Sequence, residues 1–188
     1  MKDVWLTSDL HYNHTNIPLF NPHRVKDFNM ESPLDMEAHN KYITDMINSK
    51  AKRNDVIYFL GDIAFGGKKD AINFLAQIKC RNKYFINGNH DKSFNGLDNY
   101  FIWKGDMKQV TFKKNEYDFL DSDFEVFMCH YPMKSWPRKP KGSMQLYGHV
   151  HNSSPFIDDT EDLCLNVGID NPICNSSMLN LREIYDIY

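Results

Sequence analysis

Short apolar runs that stop abruptly at Asp, His or Asn recur along this chain, and that recurrence restricts the fold more than any other feature. Val4-Trp5-Leu6-Thr7 runs into Asp9 and His11, and residues 55–60 close on Gly61-Asp62. Residues 83–86 open into Asn87-Gly88-Asn89-His90-Asp91, residues 124–128 lead to His130, and residues 144–147 lead to Gly148-His149-Val150-His151. Runs rich in β-formers, without polar alternation, read as interior strands covered on both faces. Open α/β sheets collect ligands at the carboxyl ends of such strands, so the polar residues are expected to converge. Gly88 is expected to permit the sharp turn at its strand end by tolerating positive φ.

Helical spacing separates these runs. Residues 68–79 repeat Ala71, Ile72, Leu75 and Ile78, and a helix over residues 33–50 would bury Leu34, Ala38, Tyr42, Ile43, Met46 and Ile47. Ser32 is its expected N-cap, with Pro33 in the first turn and Asp35 as the capping acid. Two β-α-β units follow, crossing right-handed in a partly parallel sheet. Beyond Met107 the runs 110–112, 117–120 and 124–128 are separated by charged turns and predict hairpins of a second sheet. Residues 163–167 read as the closing strand, and residues 179–188 fit a short helix or a strand equally.

The 188 residues suit a single domain over 1–188, and 41% hydrophobic with 14% aromatic content argues against disorder. No apolar run approaches the ~18 residues of a membrane span, and the first ten residues lack a signal-peptide core, so a cytoplasmic location is expected. Cys80, Cys129, Cys164 and Cys174 form no Cys-x-x-Cys pair and are expected to be buried free thiols. A net charge of -3 provides no global attraction to nucleic acid, although Lys134, Arg138, Lys139 and Lys141 surround Trp136, on which a base could stack.

The set of polar strand ends resembles the calcineurin-like metallophosphoesterase family: Asp-x-His at Asp9 and His11, Gly61-Asp62, Gly88-Asn89-His90-Asp91, His130, and Gly148-His149-Val150-His151. The resemblance implies an α/β fold, a four-layer α/β/β/α sandwich of two mixed sheets flanked by helices. It also implies two divalent metal ions, with Asp9, His11 and His151 on one, Asn89, His130 and His149 on the other, and Asp62 bridging. His90 would be the catalytic imidazole, paired with Asp91, which keeps its ring oriented, while Asn89 also turns its amide hydrogens to the phosphate. The chemistry is consistent: two cations about 3.5–4 Å apart neutralise an anionic phosphoryl group and generate a hydroxide nucleophile near neutral pH. Imidazole and carboxylate donors without thiolate suit manganese, iron, zinc or nickel, and manganese is favoured here.

His11, His14, Asn16 and Ile17, with Arg24 and the run His130-Tyr131-Pro132, resemble a small bacterial and phage branch of that family. Arg24 and His14 are then candidate substrate-binding residues, since a guanidinium matches two phosphate oxygens. Phe65 stands where many members carry a second acid, which weakens the analogy with protein phosphatases. His39, on a helix, and His23, in a loop, are read as hydrogen-bonded residues outside the site. The expected function is hydrolysis of a small phosphomonoester, phosphodiester or nucleotide, by attack of a metal-bridging hydroxide with His90 as general acid. The alternatives are a nuclease or RNA-end phosphatase using the basic loop 134–141, and a non-catalytic scaffold of the same fold.

Overall fold

A computed structural model describes residues 2–152 and 163–188, so Met1, counted above with the N-terminal run, lies outside the described residues. The first sheet contains β1 (Val4–Thr7), β2 (Val56–Phe59), β3 (Asn82–Ile86), β4 (Trp103–Gly105) and β9 (Leu179–Asn180), in the order β4-β3-β2-β1-β9. All its pairings are parallel except β1 with β9. The second sheet has the order β5-β6-β7-β8, from β5 (Met107–Phe112), β6 (Phe124–Cys129), β7 (Met144–Tyr147) and β8 (Cys164–Asn166). Only its β5–β6 pair is antiparallel. Both sheets are therefore mixed, as expected of this α/β class.

Strand alternation sorts the core into layers. Val4, Leu6, Tyr58, Leu60 and Ile86 face Val126, Met128, Leu146 and Leu165 between the sheets. Ile57, Phe59 and Phe85 point the other way, against Ile43 and Ile47 of α3 (Met36–Lys50) and Phe74 and Leu75 of α4 (Lys68–Gln77). On the far side, Phe127, Cys129 and Tyr147 pack under Trp136. All four cysteines are buried thiols. Among the described residues no helix is long and apolar enough to cross a membrane.

Several local expectations change. The helix of residues 33–50 begins at Met36, because Asp35 is its N-cap, accepting from the Ala38 N–H at 3.1 Å. Leu34 therefore precedes the helix and is exposed instead of joining its buried stripe. Residues 117–120 are turns, not a strand: Leu120 is buried and Tyr117 and Phe119 partly so, plugging one end of the inter-sheet core. Their apolarity reflects that plug and not a ladder. The C-terminal stretch is both alternatives in succession, β9 and then α5 (Leu181–Ile187), capped by Asn180 and Glu183. Two short helices, α1 (Ile17–Phe20) and α2 (His23–Asp27), occupy the segment read as loop.

Candidate metal centre

The strand ends meet because parallel register continues past the strands. Thr7 pairs with Phe59, after which Asp9 N–H donates to Gly61 O and His11 N–H to Asp62 O, each at 3.0 Å. The second sheet joins at the same end. Ser8 bridges Gly168, the Ser8 hydroxyl donates to Leu60 O at 2.8 Å, and His130 Nδ1 lies 2.7 Å from that same carbonyl oxygen.

Asp9, His11, Asp62, His149 and His151 all have φ between 51 and 73°. Few non-glycine residues occupy this left-handed region, although Asn, Asp and His are enriched in it. Each costs about 1–3 kcal/mol and persists only where the surroundings impose it. Backbone strain is thus stored at five of the expected ligand positions. Gly88 is not part of it: its φ is not positive, and it is needed because a Cβ would lie 2.2 Å from Asp62 Oδ1 and 2.5 Å from Asp62 N.

Two clusters result, Asp9 with His11 and His151, and Asp62 with His130 and His149; within each, the ligand atoms lie within 4.8 Å of one another. Asp62 Oδ2 stands between them, 3.4 Å from His130 Nε2 and 3.9 Å from His11 Nε2. Asn89 Oδ1 approaches His130 Nε2 at 3.2 Å. The structure therefore gathers all the expected ligands in one place.

The hydrogen bonds also orient the imidazoles. His130 Nδ1 faces a carbonyl and His151 Nδ1 faces Asp170 Oδ2 at 2.5 Å, so each Nδ1 carries a proton, and each Nε2 can ligate a metal once it carries none. His11 Nδ1 meets His14 Nδ1 at 3.2 Å, while His11 Nε2 is buried with no partner. An orphaned buried nitrogen is costly unless something occupies it. Burial opposes the charge on Asp62 and on His130, yet their mutual contact, with the His90 N–H and His11 on Asp62 and with Asp9 on His130, holds Asp62 at about 2 and lifts His130 to about 9. In the metal-free site a proton on His130 thus balances the carboxylates, and a cation would displace it. Imidazole, carboxylate and amide donors around an unpartnered nitrogen fit two divalent first-row ions.

His90 is exposed at the rim, its Nε2 4.0 Å from Asp62 Oδ2. The expected His90–Asp91 pair is absent. Asp91 instead accepts from the backbone N–H groups of Gly88 (2.7 Å), Asp62 (2.7 Å) and Ile63 (3.1 Å), bracing the loop that carries Asp62. Burial and the neighbouring Asp62 carboxylate push the Asp91 carboxyl up to about 7. His14 is half-buried and stacks on Phe65, ring centroids 4.1 Å apart, with Phe65 5.6 Å from His90. These three rings form one wall of the site.

Arg24 corrects the expectation most. It is fully buried, and its guanidinium is fully engaged: Nε and Nη2 on the two Asp170 oxygens (2.7 and 2.6 Å), Nη2 also on Asp9 O (2.7 Å), Nη1 on Leu10 O (3.0 Å) and His39 Nε2 (3.1 Å). A guanidinium has five N–H donors, so none remains for a phosphate. His23, in α2 and not in a loop, brings Nε2 within 2.9 Å of Asp170 Oδ1, off the line of a good hydrogen bond. His39 is buried, as its helix position suggests. Asp170 itself was missed by motif reading, although it follows β8 as Asp62 follows β2. In the basic loop, Trp136 is 5% exposed, donates Nε1–H to Ser143 O at 2.8 Å, and lies under the Lys139 ammonium, while Arg138 pairs with Glu125. No ring is left there for a base to stack on.

Residues 2–153 match the calcineurin-like phosphoesterase family. The chain belongs to that family. Among its relatives, the Gene 66 protein of Mycobacterium phage D29 is 23% identical over 90% of this chain and 89% of its own length. The uncharacterized protein MJ1445 of Methanocaldococcus jannaschii is 32% identical over 84% of this chain and 77% of its own. The crystal structure of the protein of unknown function AQ665 from Aquifex aeolicus superposes with a TM-score of 0.73 at 22% identity, covering 100% of both chains, and shares the fold. Phage and archaeal relatives of similar length agree with a small branch of the calcineurin-like phosphoesterases. Family and clusters together indicate a metal-dependent phosphohydrolase.

Proposed function

We propose that this calcineurin-like phosphoesterase hydrolyses a small phosphomonoester, phosphodiester or nucleotide between its two ligand clusters, with His90 donating the proton to the leaving oxygen. The observation that carries the reading is the position of Asp62 between both clusters, with an exposed imidazole beside it that neither cluster needs. When bound, two divalent cations, manganese favoured, would neutralise the phosphoryl oxygens and activate the attacking water.

The chain's own residues supply the rest. Asp9, His11 and His151, and Asp62, Asn89, His130 and His149, would hold the cations, and the Asn89 amide would be free to donate to a phosphoryl oxygen. Asp91 keeps Asp62 in place through the backbone. His14 and Phe65 confine the His90 ring and border the space for the leaving group. A small substrate is favoured because the net charge of -3 opposes a polyanion and the aromatic residue of the basic loop is buried.

A screen of phosphorylated metabolites, nucleotides and short oligonucleotides with added manganese identifies the substrate. His90→Asn tests the proton donor. General acid catalysis is worth about 10²–10⁴ in rate, so the variant is expected to lose that much on an alkyl ester and far less on a nitrophenyl ester, whose leaving group needs no proton. Equal losses on both esters, with metal content intact, would remove His90 from that role.

A further inference from the structure

The two clusters orient their imidazoles by different means. His130 rests its Nδ1 proton on a neutral carbonyl, Leu60 O, at 2.7 Å. His151 rests its own on a carboxylate, Asp170 Oδ2, at the shorter distance of 2.5 Å. The Asp170 side chain has no exposed surface, and its two oxygens are clamped by Nε and Nη2 of Arg24. The same Nη2 reaches Asp9 O, so one guanidinium ties the backbone of Asp9 to the carboxylate behind His151, 146 residues further along the chain than Arg24 itself. A buried carboxylate with this many charge-assisted contacts cannot rotate without losing several of them.

We infer that Asp170 is a positioning residue for His151, and that Arg24 is the brace that holds Asp170 in register with Asp9. The carboxylate fixes the Nδ1–H tautomer and the plane of the His151 ring, so that Nε2 faces Asp9 and His11. It also makes that nitrogen a better donor. Partners of this kind behind a metal-bound histidine typically matter 10–100-fold in metal affinity. The role is confined to one cluster, since Asp170 touches no ligand of the other. The inference rests on the metal-centre reading above.

Calorimetric titration of the metal-free protein with manganese(II) tests it. The parent is expected to take up two equivalents. Asp170→Asn is expected to weaken one of them by about 10–100-fold and leave the other within about threefold. Arg24→Lys is expected to weaken the same equivalent by less, because an ammonium cannot brace two oxygens in a plane. A purely structural role would lower the melting temperature and leave both affinities alone, or weaken both together, and either result overturns the inference. Failure of the parent to bind manganese at all would instead overturn the metal-centre reading and this inference with it. Should the variants not fold, ¹⁵N resonances of the zinc-loaded parent decide: His151 is expected to carry its proton on Nδ1 with Nε2 ligated, and a proton on Nε2 would overturn the assignment.

Discussion

Behind His151 stands a buried ion pair of Asp170 and Arg24, whereas behind His130 stands a backbone carbonyl and beside Asp62 a carboxylate that gathers backbone N–H groups. The first cluster is supported by Asp170, Arg24 and, through Arg24, His39, all inaccessible to solvent. The second is supported by Leu60 O and by the N–H groups that Asp91 gathers from Gly88, Asp62 and Ile63, and its His149 is exposed. Side-chain support depends on ionisation and on partners far away in sequence. Backbone support depends on close approach of main chains. The first cluster should therefore answer to removal of the Arg24–Asp170 charges, and the second to bulk added at Gly88.

The residue that spans both clusters gives the largest expected effect. Asp62→Asn should deplete metal from both and lower kcat by at least about 10²–10³-fold, the usual scale for removing one electrostatic group from a preorganised site. His11→Ala should mainly empty the first cluster. Elemental analysis of the purified variants separates the two cases, and two full equivalents in the Asp62 variant would dissolve the idea of a shared ligand.

Next comes the pH response of the charged support. Arg24 Nη1 can only donate, so His39 Nε2 must accept and the buried ring is neutral. Burial first, then Arg24, lower its pKa from 6.5 to about 4. Between these values the unfolded chain binds the proton and the native chain does not, so this group removes stability as pH falls from 6.5 towards 4. The loss approaches about 3 kcal/mol, from about 1.36 kcal/mol for each unit of pKa. Urea unfolding of His39→Gln across that range should show a shallower acid loss than the parent; parallel curves would mean that His39 is not the group responsible.

Added bulk gives the smallest effect. Gly88→Ala sets a Cβ against Asp62 Oδ1 and Asp62 N, and overpacking of this kind costs about 1–3 kcal/mol. Thermal unfolding should fall by roughly 2–10 °C. Manganese affinity should weaken at both equivalents, because Asp62 is shared, and most at the one that Asp170→Asn spares. A larger loss at the other equivalent would erase the distinction between the two supports.

Much of the site could be read directly from sequence, because the ligands sit at the ends of five apolar runs. Asp9, His11, Asp62, Asn89, His130, His149 and His151 needed no tertiary information to be singled out, and the structure brings them together. The roles of their neighbours were less visible. Asp91 was expected to hold His90 because the family resemblance pairs them, yet its carboxylate accepts from backbone N–H groups instead. Arg24 was expected at the substrate because a guanidinium matches two phosphate oxygens, but it is buried against the Asp170 carboxylate instead.

By itself the sequence determined the strand ends, the helices between them, the donor chemistry of the centre and the family, since each is written in local spacing and residue type. Tertiary structure alone decided which acid backs which imidazole, that Arg24 braces instead of binding, that Trp136 is closed to a base, and that Gly88 serves close approach instead of positive φ. The physical reason is separation along the chain. A ligand motif is carried by neighbouring residues, whereas the contact of Arg24 with Asp170 joins residues 146 positions apart and exists only once two sheets have packed.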